Sequence, residues 1–241
     1  MTDEKFLDKK MDRREFLKKA GIGGAGLALG LSGASAFFAN QDSSTKKALD
    51  GDEDISFFGK HQAGITTPMQ KACYLVVLDL HTTDKKEVIQ LFKDWTDYSS
   101  KLVEGELVKK DGSNALLPPT DTGETVGLNP YRLSLTFGVS ADFLKKLGLE
   151  SKRPKLFRDL PPFPKEQLQD KYTGGDIVIQ ACADDEQVAF HAVRNLIRKG
   201  RNKITMKWSK SGFAAIGDRK ETPRNLFGFK DGTANVTTEK E

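Results

Sequence analysis

One segment near the end of the chain places a single carboxylate between two glycines. It reads Gly228-Phe229-Lys230-Asp231-Gly232-Thr233-Ala234-Asn235. Glycines on both sides of Asp231 leave the backbone free to approach a flat ligand closely while the acid projects at it. A carboxylate in that position suits proton transfer. An Asp-Gly pair is also typical of an ordinary turn, so the residues by themselves leave both interpretations open.

The histidines and cysteines are the other residues with the chemistry to bind metals or move protons. His191 lies inside a predicted helix, where we expect a partly buried, hydrogen-bonded side chain rather than a metal ligand. His81 ends a strand and is expected at the surface. His61 either lines a ligand access route or packs structurally. Two cysteines are too few for a disulfide scaffold or a cysteine metal cluster.

Cys73 and Cys182 fall on different predicted strands. Two buried free thiols are the simpler interpretation, and adjacent placement of the two stays open.

The N-terminal segment has the organisation of an export signal. Arg13 and Arg14 begin a basic stretch, and residues 20–36 carry no charge and are rich in Gly, Ala and Leu. The stretch ends in Ala34-Ser35-Ala36, a small-residue cleavage site, and it is too short and too weakly apolar to cross a membrane comfortably. We therefore predict a twin-arginine signal peptide over residues 1–36.

This signal has consequences for location and function. The twin-arginine machinery carries proteins that have already folded, commonly around a cofactor, so we expect a cofactor and a periplasmic, cell-envelope or extracellular location. Residues 37–54 are expected to be a flexible lead-in to a folded portion over residues 55–241. An uncleaved anchor that extends through Phe37-Phe38-Ala39 is the alternative.

Charge and composition limit the classes of partner. The chain contains 38 Lys and Arg and 34 Asp and Glu, a net charge of +4, and the basic residues are scattered along the sequence among acidic ones. This distribution argues against a nucleic-acid surface. Hydrophobic residues make up 37% of the chain, which is enough for a core without disulfides.

Apolar periodicity predicts the first half of the fold. Residues 73–80 are apolar on both faces and predict a buried central strand, and Asp84 caps a helix whose apolar residues recur every three or four positions. Residues 131–139 alternate with period two and predict a second strand, after which Ser140 opens a short helix. The proline-rich residues 152–172 are expected to form a surface excursion.

The pattern then repeats. Residues 176–183 predict a strand, Asp184-Asp185 cap a helix, and residues 203–212 predict a last strand. We expect the last strand to carry three apolar residues on one side, Ile204, Met206 and Trp208. The element order predicts an α+β fold, an antiparallel ferredoxin-like sheet with helices on one face, and a doubly wound α/β sheet is the alternative.

Three segments of the chain are similar, in the same order, to one known family. Residues 58–68 look like an opening segment, residues 176–185 continuing through 190–196 look like a second repeat, and residues 228–235 resemble a G-x-x-D-G signature. The family is the dye-decolorising (DyP-type) haem peroxidases, in particular their exported deferrochelatase/peroxidase branch. The resemblance extends from about Phe57 to the last residues.

The resemblance implies a chemistry. It implies a ferredoxin-like fold of the dimeric α+β barrel type in duplicate, a haem b cofactor, hydrogen peroxide as oxidant and a small phenolic or dye-like reducing substrate. The family's aspartate that matches Asp231 lies on the distal face of the haem, where it takes a proton from iron-bound peroxide and returns it to the outer oxygen. Asp231 is the expected catalytic residue, and Gly232, Thr233, Ala234 and Asn235 are expected to lie against the porphyrin.

The resemblance also implies parts without a counterpart in these 241 residues. Family members continue further, and their proximal histidine and distal arginine come from that later part. We therefore expect the iron ligand beyond residue 241 and the C-terminal repeat to be missing. On its own, the chain is expected to bind haem weakly or not at all, to show negligible turnover, and to expose an apolar sheet face that favours self-association.

The leading hypothesis is an exported haem peroxidase. Its expected partners are hydrogen peroxide, a small reductant, the twin-arginine export machinery and further copies of the chain in a homo-oligomer. Two alternatives stay open: a haem-handling or iron-handling protein that releases iron from haem, and an inert fragment with no cofactor.

Overall fold

Four strands and three helices make up the regular structure of the residues described in the computed structural model, which are 55–109, 118–214 and 224–230. The strands are β1 (Ala72–Leu80), β2 (Ser134–Val139), β3 (Ile177–Ala183) and β4 (Ile204–Phe213), and the helices are α1 (Lys85–Val103), α2 (Ala141–Lys146) and α3 (Glu186–Gly200). The strands form one antiparallel sheet in the order β2-β3-β1-β4. This arrangement confirms the predicted ferredoxin-like α+β fold.

Each helix begins at a residue that the sequence marks as a cap. Asp84 accepts a hydrogen bond from the backbone N–H of Lys86, and Asp185 accepts two from the first turn of α3. Ser140 accepts one from the N–H of Phe143 at the start of α2. Such side chains satisfy backbone donors that have no partner within the helix, which is why the three predicted starts are confirmed.

The core lies between one face of the sheet and the two long helices. Trp95 on α1 is almost completely buried, stacks on Phe137 of β2 at 5.7 Å between ring centroids, and donates its indole N–H to the carbonyl of Leu196 on α3 at 2.8 Å. One residue therefore joins both helices to the edge of the sheet. We call this the helix face and the opposite side the open face.

Strand β2 begins at Ser134 and not, as the alternation suggests, at Tyr131. Tyr131 and Arg132 adopt positive φ angles of 46° and 55°, which no strand residue has. The N–H of Leu133 donates to the carbonyl of Pro130 and closes a turn. The guanidinium of Arg132 donates to a carboxylate oxygen of Asp184 at 3.1 Å. Tertiary contacts thus override the local period of two.

The prediction that Ile204, Met206 and Trp208 share one side of β4 is wrong, because a β-bulge interrupts the strand. On β1, Val77 and Leu78 are adjacent, but their partners on β4, Trp208 and Met206, are two positions apart. Lys207, between these partners, therefore has no opposite residue on β1. Trp208 therefore lies on the open face with Val77, whereas Met206 lies on the helix face with Leu78.

The proline-rich excursion is an exposed surface segment, as predicted, with short 3₁₀ turns at Glu150–Lys152 and Asp170–Tyr172. Among the helices of the described ranges, none is both long and apolar enough to cross a membrane. The predicted signal peptide over residues 1–36 and the lead-in over 37–54 lie outside those ranges.

Candidate functional site

The predicted site residues, Asp231, Gly232, Thr233, Ala234 and Asn235, lie outside the described residues. The structure describes the seven residues that lead directly to them, 224–230, which we call the approach turn.

The approach turn is closed by hydrogen bonds from both ends. The side-chain carbonyl of Asn225 accepts from the backbone N–H groups of Phe227 and Phe229 at 3.0 and 3.1 Å, and the N–H of Asn225 donates to the carbonyl of Phe229 at 2.8 Å. Arg224 donates to the carbonyl of Gly228 at 2.7 Å and forms a β-bridge with Lys230. The backbone that immediately precedes Asp231 is therefore held in a defined turn.

Gly228 lets the approach turn close. Its φ is +84°, in the left-handed region that residues with a side chain rarely adopt. A Cβ atom built at this position would meet no atom within 4 Å, so backbone conformation and not crowding makes glycine necessary here.

Apolar side chains of the approach turn project into solvent. Leu226, Phe227 and Phe229 are 89%, 87% and 70% exposed. Three apolar side chains are thus open to solvent within four residues of the turn.

His191 is occupied by hydrogen bonds and is unavailable to a metal. Its side chain is 2% exposed, Nδ1 lies 2.7 Å from an oxygen of Glu124, and Nε2 lies 3.5 Å from an oxygen of Asp121. The amide of Asn195, one turn further along α3, packs against the same ring. This confirms the prediction of a buried, hydrogen-bonded helix histidine.

Glu124 is the charged partner that holds this cluster. Burial alone would raise the pKa of Glu124, but hydrogen bonds from Thr122 and His191 outweigh that cost and lower it to about 2. Arg194 also contacts this carboxylate, at 2.6 Å. No local pattern in the sequence predicts this cluster, because its acids and its histidine come from segments nearly 70 residues apart.

Of the described histidines, His191 is held by carboxylates and the other two lie at the surface. His191 has its ring nitrogens engaged, and His61 is exposed. His81 is exposed, as predicted, and its Nε2 lies 2.5 Å from the hydroxyl of Thr205. Within the described ranges, no group of three or more His, Cys, Asp and Glu side chains is arranged to hold a metal ion.

A segment over residues 62–70, which we call the strap, binds along edge strand β2. The side-chain amide of Gln62 exchanges two hydrogen bonds with the backbone of Phe137, as a neighbouring strand would. Thr136 donates to the carbonyl of Ala63 at 2.7 Å. Gly64 has a φ of +93°, and a Cβ there would lie 2.0 Å from the Thr136 hydroxyl. The strap therefore needs glycine at this position, and it protects the edge of the sheet.

Comparisons with known proteins agree on one family. Residues 62–214 match the family profile described as Dyp-type peroxidase, N-terminal. A protein named Deferrochelatase from Escherichia coli O157:H7 is 34% identical over 235 residues, which cover 95% of this chain and 55% of that protein. A second Deferrochelatase, from Yersinia pseudotuberculosis serotype I, is 38% identical over 186 residues, covering 74% of this chain and 42% of that one.

Solved structures give the same result. A DyP-type peroxidase from Streptomyces coelicolor is 36% identical with a TM-score of 0.69, and the match covers 78% of this chain and 50% of that one. Ferric DtpA from Streptomyces lividans is also 36% identical, with a TM-score of 0.68 over 78% of this chain and 50% of that one. The chain spans about half the length of the curated relatives it matches.

Proposed function

Because the chain belongs to the Dyp-type peroxidase family, we propose that it forms part of a haem-dependent peroxidase that uses hydrogen peroxide to oxidise phenolic or dye-like substrates. The observation that carries this proposal is the match of residues 62–214, since they include the strap and all four strands of the sheet. The related DtpA is described in ferric and oxyferrous forms, which supports an iron-centred cofactor.

In this proposal Asp231 is the acid and base. Its carboxylate takes a proton from hydrogen peroxide and later returns that proton to the departing oxygen, which leaves as water. Haem b, when bound, supplies the iron centre and the redox chemistry. Gly232, Thr233, Ala234 and Asn235 would lie against the porphyrin, and the small side chains of the first three would permit close contact.

The approach turn would position this acid. Asn225 and Arg224 fix the backbone up to Lys230, the residue before Asp231. A proton transferred at short range needs a donor held within hydrogen-bond distance of its acceptor, so a fixed approach favours the reaction. None of the described histidines is assigned to hold the haem iron.

The test uses the protein as its own gene encodes it, expressed with haem available. The proposal predicts a haem absorption band and peroxide-dependent oxidation of an anthraquinone dye or a simple phenol. Absence of bound haem, or bound haem without any peroxide-dependent oxidation, would contradict it.

Release of iron from haem is the second candidate function, favoured by the relatives that bear the name Deferrochelatase. The two candidates differ in their products. An iron-releasing protein yields intact, metal-free porphyrin, whose fluorescence rises as haem is consumed without a dye being oxidised. A peroxidase bleaches the dye, and its haem keeps the iron.

We also propose export by the twin-arginine route, with a periplasmic, extracellular or cell-envelope location. The support is the order of Arg13-Arg14, an uncharged Gly/Ala/Leu stretch and Ala34-Ser35-Ala36 in the sequence. Formation of a homo-oligomer also belongs to the proposal, and the half-buried apolar residues of the open face are its support, among them Leu75, Val178 and Trp208.

A further inference from the structure

The two cysteines are direct neighbours across the sheet. Cys73 of β1 and Cys182 of β3 are paired residues of the antiparallel ladder, so both side chains project from the open face. Paired Cα atoms in such a ladder lie about 4.5 to 5.5 Å apart, and a disulfide spans Cα atoms about 4.4 to 6.8 Å apart. Of the two placements that the sequence left open, the structure shows the adjacent one, with both thiols free and half-buried.

A cavity gives access to both sulfurs. It has a volume of about 420 Å³, and its wall includes Cys73, Cys182, Gln180 and residues of the strap. On the other side of Cys73, its partner on β4 is Gly212, where a Cβ atom would meet nothing within 4 Å. A small oxidant therefore has a route to the thiols from solvent.

The two thiols are chemically unequal. A hydrogen bond from Cys182 lowers the pKa of Cys73 to about 7, although burial opposes the shift. The same interaction and burial raise the pKa of Cys182. Because the thiolate is the nucleophile, Cys73 is the attacking residue of the pair.

We propose that Cys73 and Cys182 form a peroxide-reactive dithiol that closes to a disulfide between β1 and β3. The Cys73 thiolate attacks one oxygen of hydrogen peroxide, the O–O bond breaks, and the products are a Cys73 sulfenic acid and hydroxide. The hydroxide takes the proton of Cys182, whose thiolate attacks the Cys73 sulfur, and the sulfenic oxygen leaves as hydroxide when the S–S bond forms. Both sulfurs are oxidised, one peroxide is reduced, and two waters result after protonation.

The disulfide would close a long loop of the chain. It joins residues 73 and 182, so that α1, β2 and α2 lie within the closed loop. Cross-links that close loops of this length stabilise chiefly by restricting the unfolded chain, and we expect oxidation to raise the Tm by about 5 to 10 °C.

The test needs no haem, so its outcome is independent of the proposed peroxidase activity. The reduced, haem-free full chain is treated with a few equivalents of hydrogen peroxide under anaerobic conditions, then denatured for thiol counting and intact mass measurement. The proposal predicts loss of both thiols, a mass lower by two hydrogens, and a peptide linking Cys73 to Cys182. Retention of both thiols, or a disulfide between chains, would overturn it.

Single substitutions test the order of attack. In Cys182→Ser the sulfenic acid on Cys73 has no resolving thiol, so dimedone should trap it. In Cys73→Ser, Cys182 should stay unmodified at the same dose. Equal modification of the two variants would show that Cys73 is not the attacking residue. The wild-type thiol count and mass still decide whether the disulfide forms if either variant fails to fold.

Discussion

The Nδ1 of His191 lies 2.7 Å from Oε2 of Glu124, and this contact joins helix α3 to the loop that precedes β2. Asp121 of the same loop accepts from the N–H groups of Val108 and Gly123, so the loop is held from two directions. A histidine in this position has a structural role, which removes it from the candidates for iron ligation.

The Glu124 contact predicts a dependence of stability on pH. The pKa of Glu124 in the folded protein, about 2, lies below its ordinary value of 4.5. Its contribution to stability is therefore fully present above pH 4.5 and is lost as the pH falls toward 2. Between pH 6 and pH 3, the free energy of unfolding of the wild type should fall by about 1 to 2 kcal/mol more than that of Glu124→Gln.

Urea unfolding of both proteins at several pH values measures this difference. Glu104→Gln is the matched control, since it removes an exposed carboxylate just after α1. If the free energy of unfolding fell equally with pH in wild type and Glu124→Gln, the contact between Glu124 and His191 would not be the cause of the pH dependence.

Substitution of Gly228 in the approach turn should slow the reaction with hydrogen peroxide, whereas substitution of Gly59 should not. Gly228→Ala forces a side chain into a positive φ, whereas Gly59→Ala places a Cβ at an ordinary 3.5 Å contact without that strain. If the turn positions Asp231, Gly228→Ala in the haem-loaded protein should slow the reaction with hydrogen peroxide about ten- to hundredfold, with haem content unchanged. Stopped-flow rates for the two variants decide the matter, and equal rates would mean that the turn does not position the acid.

Local signals were sufficient to predict most of the fold. The capping residues Asp84, Ser140 and Asp185 start the helices where the sequence places them, because a cap acts on backbone groups two or three residues away. The apolar stripes of α1 and α3 likewise follow from helical spacing, which predicts a buried face for each. Together with the order of elements, these features lead to the ferredoxin-like arrangement.

What the sequence did not reveal depends on contacts between distant segments. The bulge at Lys207 and the positive φ of Arg132 have no local pattern, and the pairing of Cys73 with Cys182 requires the register of β1 on β3. The side chain of Gln62 imitates a strand partner from 75 residues away. The role of Asp231 stays a prediction that rests on resemblance to a family, since an Asp-Gly pair is common in turns.

The paired arginines predict how the protein leaves the cytoplasm. Replacement of both Arg13 and Arg14 by Lys should leave the protein in the cytoplasm with its leader attached, because the twin-arginine machinery requires the pair. Cell fractionation and the mass of the recovered protein measure this, and replacement of both Arg153 and Arg158 by Lys, at exposed positions outside the leader, is the matched control. Normal export of the double variant would refute the assignment.

The proposed role of Asp231 as the acid and base of a haem peroxidase is tested most directly by the rate of reaction with hydrogen peroxide in haem-loaded Asp231→Asn. Asparagine keeps the size of the side chain but cannot take up the proton, so the second-order rate constant should fall by about 10²- to 10⁴-fold while the haem spectrum is retained. Asp231→Glu should recover part of the rate, and Asp142→Asn, at an exposed position in the first turn of α2, should leave it unchanged. A wild-type rate in Asp231→Asn would contradict the account, and loss of haem from that variant would assign Asp231 a structural role instead.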